Sequence, residues 1–213
     1  MAFFNSEDIK NFDKIHRINL MNSLSGYKSA NLIGSISEEG EENVAIFSSL
    51  IHLGSNPPLL GFIVRPTLIP RNTYENIKNT GVFTVNHVSE DIIKDAHHTS
   101  AKYEKHVSEF DMTSLTPSYI NNFKAPFVFE SPVKIGMKYL EEYPIKANNT
   151  IMVVGQIAFF VVDDLMLQKD GFLNLSKGRV ATINGLDGYA VPNLFTREAY
   201  QRPKSSLVMI NDK

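Results

Sequence analysis

The sequence predicts a mainly β protein with short α-helices, in which antiparallel strands close, or nearly close, into a barrel and the helices pack outside it. Strand-like runs follow one another without the regular helical crossovers that a parallel sheet requires. The run 151–162 is apolar on both faces. Closure explains this pattern, because one face of the strand fills the barrel and the other lies under a helix or a partner subunit.

Six strand-like runs account for the predicted barrel. They span residues 31–37, 44–53, 59–64, 82–88, 127–140 and 151–163. Pro57 and Pro58 end the second run, because proline cannot donate a hydrogen bond to a strand ladder. The acidic run 38–42 contains a glycine, which is typical of an exposed turn between two strands. Each run is therefore bounded by residues that favour turns.

Two short helices are predicted between the strands. The first begins with Asn72 as its N-cap and Glu75 as the reciprocal partner three residues later. It ends at Gly81, since glycine suits the C-cap position after Thr80. The second follows Ser89 and carries acidic residues in its first turn, where they favour the helix dipole.

Length and composition indicate one globular domain. The 213 residues contain 43% hydrophobic and 21% charged side chains, the usual range for a protein with a packed core. No internal repeat or low-complexity linker divides the chain. We expect a single domain over residues 1–203 and a C-terminal tail over residues 204–213.

Charge and composition exclude several functions. The net charge of −2 and the lack of a basic block argue against a nucleic-acid partner. The absence of cysteine excludes disulfides, thiolate metal sites and a cysteine nucleophile. The N-terminus does not resemble a signal peptide, and the run 151–162 is too short to span a bilayer. We expect a cytoplasmic protein with no membrane partner.

Three histidines lie close together in the sequence. His97, His98 and His106 are accompanied by Asp95 and Glu104. Adjacent histidines point about 100° apart on a helix, which is a poor geometry for joint chelation. We therefore expect no metal site, and interpret these side chains as surface or cofactor-adjacent histidines.

Polar residues at two chain positions could bind a phosphate. The hydroxyls of Ser48 and Ser49 are predicted to end a strand, and Arg71, Asn72 and Thr73 stand at the start of the first helix. A helix N-terminus offers free N–H groups and partial positive charge, and arginine can bind phosphate with two donors. Ordinary turn and cap chemistry places the same residue types there, so the residues alone leave both interpretations open.

Four separated segments resemble one known family. They are N-x-A-x-x-S-S from Asn43, N-P-P from Asn56, R-N-T-x-x-N-I from Arg71 and G-x-F-x-V-N from Gly81. In this order they are similar to the flavin reductase-like FMN-binding split-barrel family, which includes flavoredoxin and the reductase components of two-component flavin monooxygenases. The resemblance covers about residues 20–203 and implies an antiparallel, Greek-key-like split β-barrel.

The resemblance also implies a cofactor site. Residues that would line the flavin are Asn43, Ser48, Ser49 and Leu50. Arg71, Asn72 and Thr73 would hold the phosphate and ribityl end, and Asn76 would brace the helix start. The implied cofactor is FMN rather than FAD, in a homodimer with the flavin near the subunit interface. No catalytic residue is implied.

The sequence departs from the family at one position that bears on function. Many members that use NAD(P)H carry Gly-Asp-His before the late barrel strand, whereas here the region reads A-N-N-T, without histidine near Asn149. The implied function is a flavin-dependent oxidoreductase that takes electrons from reduced nicotinamide or a protein donor. A flavoredoxin-like carrier without NAD(P)H activity and a non-redox binding module remain alternatives. Tyr200 and Arg202 either close over the flavin or form a surface loop.

Overall fold

Strands dominate the fold, as expected. The computed structural model describes residues 1–66, 71–104 and 106–203. The helices in these ranges are α1 (Ser6–Asn11), α2 (Lys14–Ser23), α3 (Asn72–Thr80) and α4 (Ile93–His98). The strands are β1 (Lys28–Ser29), β2 (Asn31–Ile36), β3 (Glu42–Phe47), β4 (Ile51–Ser55), β5 (Pro58–Val64), β6 (Val82–His87), β7 (Pro117–Ser118), β8 (Phe127–Val128), β9 (Val133–Ile145), β10 (Thr150–Val162), β11 (Thr182–Asn184) and β12 (Gly188–Ala190). The predicted tail, residues 204–213, lies outside the described residues.

The main sheet is antiparallel, with the strand order β3-β2-β6-β9-β10-β5-β4. Its first and last strands are neighbours in sequence, because only residues 48–50 separate Phe47 from Ile51. Four peptide steps reach at most about 15 Å, so the two ends of the sheet must approach each other. The sheet therefore curls into a barrel that is split between β3 and β4, which confirms the predicted fold class. Two small sheets, β1-β11-β12 and β7-β8, complete the fold.

The core has two layers, which meet at β2. Ile33 points into the barrel with Phe62, Val85 and Met137, whereas Leu32 packs on the other side of the sheet in a cluster with residues of α4. All residues of β2 are buried, because successive side chains alternate between the two layers. Burial on both faces was predicted for the run 151–162, yet Phe160 in β10 is 60% exposed.

The predicted strand 44–53 is wrong in one respect. The structure divides it into β3 and β4 at residues 48–50, so the main sheet has seven strands where six runs were predicted. At the break, the hydroxyl of Ser49 bonds to the backbone of Ile63 in β5. The predicted strand 127–140 is likewise divided into β8 and β9.

Helix ends were predicted to within a few residues. Gly81 is the C-cap of α3 with φ of 71°, and its N–H donates to the carbonyl of Ile77 at 2.9 Å. The N-cap is Arg71 rather than Asn72, which is the first helical residue. Ser89 precedes a 3-10 turn, Glu90–Ile92, rather than α4 itself. Across the described residues, no helix combines the length and apolarity that a membrane crossing needs.

Candidate functional site

The connection between β3 and β4 carries three of the predicted flavin-lining residues. The Ser49 hydroxyl accepts from the N–H of Ile63 at 3.0 Å and donates to its carbonyl at 3.2 Å. Leu50 packs against the barrel core. Ser48 is half-buried, and its hydroxyl forms no hydrogen bond within the described ranges. Of the two hydroxyls in this connection, only that of Ser48 is therefore free to bind a ligand.

The start of α3 has one buried donor that is unsatisfied within the described residues. α1 and α2 have side-chain caps from Asn5 and Asp13, whereas the Arg71 side chain makes no cap hydrogen bond at α3. The Nε atom of Arg71 is buried and has no hydrogen-bond partner among the residues that the structure describes. Buried donors are nearly always satisfied. An anion at this helix start would accept from the buried Nε of Arg71 and would lie at the positive end of the α3 dipole.

Beneath α3 lies a buried polar network of five side chains. Its members, each less than 10% exposed, are Ser35, Asn43, Thr73, Asn76 and Glu109. Asn76 Nδ2 donates to Ser35 Oγ at 3.2 Å. When the Asn43 amide is oriented to satisfy its neighbours, Oδ1 accepts from Thr73 Oγ1 at 3.0 Å and Nδ2 donates to Glu109 Oε2 at 3.2 Å. The network therefore ties α3 to the β2–β3 hairpin and to Glu109.

Glu109 is a member that the sequence did not identify. Its Oε2 also accepts the backbone N–H of Val44 at 3.2 Å, and burial raises the pKa of its carboxyl above the ordinary value. A single glutamate before Phe110 resembles any surface acid. Its burial arises from the packing of the chain around residue 109 on β3, for which no local pattern gives a signal.

The structure joins some of the predicted site residues and leaves others apart. Asn43, Thr73 and Asn76 belong to the network above. The connection 48–50 adjoins β5, since Ser49 bonds to Ile63, and the chain path from the end of β5 leads to Arg71. Residues 67–70 of that path lie outside the described residues. Contact of any of these residues with a flavin stays a prediction.

A second polar cluster holds the side of α3 against β9. The Tyr74 hydroxyl lies 3.0 Å from each carboxylate oxygen of Glu142. Lys78 Nζ lies 3.1 Å from Glu142 Oε2 and donates to the Tyr139 hydroxyl at 2.9 Å. These two contacts raise the pKa of Lys78. Burial is the main cause that raises the pKa of Tyr74, and the hydrogen bond to Glu142 is the second. The cluster was not predicted, because its members on α3 lie more than 60 residues from its members on β9.

A cavity of about 350 Å³ opens beside α3, on the side of the β2–β3 turn. Three predicted site residues, Asn43, Asn72 and Asn76, contribute to its lining. The remaining lining is acidic and includes Glu38, Glu39, Glu41, Glu42, Glu75 and Asp111. These carboxylates oppose the entry of a phosphate. We therefore assign the phosphate-compatible region to the helix start at Arg71 and not to this cavity.

The histidines do not converge. His97 Nδ1 lies 3.0 Å from the Tyr189 hydroxyl, His98 Nε2 lies 2.5 Å from the Tyr103 hydroxyl, and His106 pairs with Glu41. In the described ranges, no three histidine or carboxylate side chains are arranged to hold a metal ion.

The histidine at the end of β6, His87, has a different environment. The residue keeps some exposed surface, but its Nδ1 is buried and unpartnered within the described part of the chain. Burial lowers the pKa of His87 to about 4. At neutral pH its imidazole is therefore uncharged.

The C-terminal segment is anchored at Arg197 to residues 168–172. Arg197 donates to Asp170 at 2.6 Å and to Gln168 at 2.7 Å, and its guanidinium stacks 4.0 Å from the Phe172 ring centre. Tyr200, three residues further on, is 87% exposed. The ring therefore lies on the surface of the single chain. Its closure over a flavin stays a prediction.

Comparison with known proteins agrees with the barrel. A solved structure of a split-barrel protein from Shewanella frigidimarina NCIMB 400, assigned to the flavin reductases, is 45% identical and covers 94% of this chain and 100% of that chain, with a TM-score of 0.91. Nitrilotriacetate monooxygenase component B from Bacillus cereus is 20% identical over 92% and 98% of the two chains, with a TM-score of 0.80. Flavoredoxin of Desulfovibrio vulgaris (Miyazaki F) is 22% identical over 82% and 92%, with a TM-score of 0.71.

The last two identities support the fold alone. The family model of the flavin reductase like domain, however, matches residues 26–183, which is most of the chain and includes the connection 48–50, α3 and Glu109. The four ordered segments from Asn43 to Asn86 lie inside the matched range. The chain therefore belongs to the flavin reductase-like family.

Proposed function

We propose that this protein binds FMN non-covalently and acts as a flavin-dependent oxidoreductase. The observation that carries the proposal is the buried Nε of Arg71, which has no hydrogen-bond partner among the described residues, at a helix start that the Arg71 side chain does not cap. One arginine and one helix N-terminus suit a single terminal phosphate, which FMN carries. We therefore favour FMN over FAD.

Each part of the site has its own role in this proposal. Arg71 and the first-turn N–H groups of α3 bind the phosphate, with Asn72 and Thr73 beside them. The backbone of residues 48–50 and the free Ser48 hydroxyl line the flavin. Bound FMN would supply hydride and single-electron transfer at its ring system. The protein contributes orientation and hydrogen bonds, so the lack of an acid–base pair among the predicted residues is compatible with this chemistry.

A cofactor titration tests the proposal. Protein purified under native conditions is expected to show flavin absorption bands, or to take up added FMN and quench its fluorescence. Arg71→Ala should weaken FMN binding by about 1.5–3 kcal/mol, the usual contribution of a charge-assisted hydrogen bond. Arg179→Ala is the matched control, because that arginine pairs with Glu90 on the surface. Unchanged affinity of the Arg71 variant would refute the assigned phosphate site.

We also propose that the protein is a homodimer. Large apolar side chains are exposed on β4 and on the outer half of β9, at Ile51, Leu53, Leu140, Tyr143 and Ile145. Exposed apolar surface of this kind is compatible with an interface. Light scattering should give about twice the 23.9 kDa chain mass. A monomeric mass at micromolar concentration would contradict the dimer.

A second candidate function is a flavin-bound electron carrier that a partner protein reduces. Its support is the β9–β10 turn, where the exposed residues 146–149 include no histidine. Anaerobic mixing of the FMN-bound protein with NADH or NADPH separates the two functions. Rapid loss of the flavin absorbance favours the reductase, and a stable spectrum favours the carrier.

A further inference from the structure

We propose that Glu109 is a positioning residue for the phosphate end of the bound flavin, acting through Asn43 and Thr73. The inference rests on the proposed FMN site and adds a residue that lies outside it. Glu109 is 9% exposed and occupies a different segment from the helix that it would control. It therefore acts by holding α3 in place and not by touching the flavin.

Glu109 is joined to β3 by two hydrogen bonds. Its Oε2 accepts both the backbone N–H of Val44 and the Nδ2 of Asn43, each at 3.2 Å. One carboxylate oxygen thus fixes the main chain of β3 and the amide orientation of Asn43. With Nδ2 held by the carboxylate, the Asn43 Oδ1 is the atom that faces α3.

Asn43 in turn forms a hydrogen bond with the start of α3. Asn43 Oδ1 accepts the Thr73 hydroxyl at 3.0 Å, and Thr73 is the second residue of α3, directly after Asn72. Arg71, the N-cap, makes no side-chain cap hydrogen bond to the described residues of α3. The buried chain from Glu109 to Thr73 is therefore a tertiary anchor for the turn that would donate to a phosphate.

The hydrogen bonds that join Glu109, Asn43 and Thr73 are distinct from the bond between Ser35 and Asn76. Asn76 bonds to Ser35 on β2, one turn further along α3. Ser35 is fully buried, so its loss costs stability in the same region. The Ser35–Asn76 bond nevertheless holds the body of the helix, whereas the Glu109–Asn43–Thr73 chain holds its first turn. This difference provides a matched control.

The test compares the affinities of FMN and riboflavin, which differ by the phosphate alone. Glu109→Ala is expected to weaken FMN binding about tenfold or more and to change riboflavin affinity less than about twofold. Glu109→Gln should restore FMN affinity to within about threefold of the unsubstituted protein, because its amide oxygen can accept from both Val44 and Asn43. Ser35→Ala should lower the melting temperature and leave the FMN-to-riboflavin affinity ratio unchanged.

Asn43→Ala keeps the test decisive if Glu109→Ala does not fold. It breaks the chain to Thr73 while the Val44–Glu109 bond remains, and the same selective loss of FMN affinity is expected. Equal weakening of FMN and riboflavin in these variants, or a ratio change of the same size in Ser35→Ala, would overturn the inference. An unsubstituted protein that binds no FMN would instead refute the proposed function itself.

Discussion

Tyr74 on α3 and Glu142 on β9 form a symmetric contact, in which the phenol oxygen lies 3.0 Å from each carboxylate oxygen. Glu142 also pairs with Lys78 on the same helix. α3 is thus fixed on one side by a partly exposed charged cluster and on the other by the buried network of Ser35, Asn43, Thr73, Asn76 and Glu109.

Tyr74→Phe should therefore destabilise the protein. The hydroxyl donates to a charged acceptor, so its removal should lower the free energy of unfolding by about 1–2 kcal/mol, as measured by urea denaturation. Tyr27→Phe is the control, because the Tyr27 side chain is 66% exposed. Similar losses in both variants would show that the Tyr74–Glu142 contact adds no specific stability.

Gly155→Ala should also destabilise the protein, through a clash in the barrel core. A Cβ atom at this position of β10 would lie 2.7 Å from Cζ of Phe83, which is 1% exposed. Overpacking of this kind costs about 1–3 kcal/mol in thermal or urea unfolding. The double variant with Phe83→Leu should lose less than the sum of the single variants. Strict additivity would contradict the clash.

The ionisation of Glu109 should make stability depend on pH. Burial raises the pKa of Glu109 above its ordinary value of 4.5, so the folded protein holds this proton more tightly than the unfolded chain. The favourable contribution is complete below pH 4.5 and is lost as pH rises through the folded pKa. The free energy of unfolding of Glu109→Gln, relative to that of the unsubstituted protein, should therefore increase from pH 4.5 upwards and then level off. A pH-independent difference would be inconsistent with a buried titrating carboxyl.

His87 should produce the opposite dependence. Burial lowers its pKa from 6.5 to about 4, so the folded protein binds this proton less tightly than the unfolded chain. Its contribution is complete above pH 6.5 and is lost as pH falls towards 4, by up to about 3 kcal/mol. Urea denaturation of His87→Asn should show a shallower loss of stability over this range. His106→Asn is the control, because the His106 side chain is 79% exposed, and it should behave like the unsubstituted protein.

Local signals were predicted well, and long-range ones were not. Gly81 ends α3 as expected, because a left-handed C-cap depends on the residue itself. The break of the predicted strand 44–53 depends on Ser49 meeting Ile63 across the sheet, which no local pattern reveals. The position of Arg71 was read from a motif, but its buried Nε appears only in the folded chain.

The candidate site shows the same division. Asn43 was predicted to line a flavin, which stays a prediction, and the structure places its side chain in a buried link between Glu109 and Thr73. The residue type and the position marked Asn43 as a site residue, but they did not reveal which side chains it would contact. Glu109 lies more than 60 residues from Asn43 in the chain, so only the tertiary packing joins them.

The strand order also determines when the barrel can close during synthesis. β5 pairs with β10, whose residues follow it by almost one hundred positions in the chain. In a nascent chain that ends before Ile151, the edge of β5 that pairs with β10 is therefore unpaired. Such long-range pairing slows folding, because loop-closure entropy is lost before the contacts form. Completion of the sheet around β5 must then follow the emergence of β10 from the ribosome.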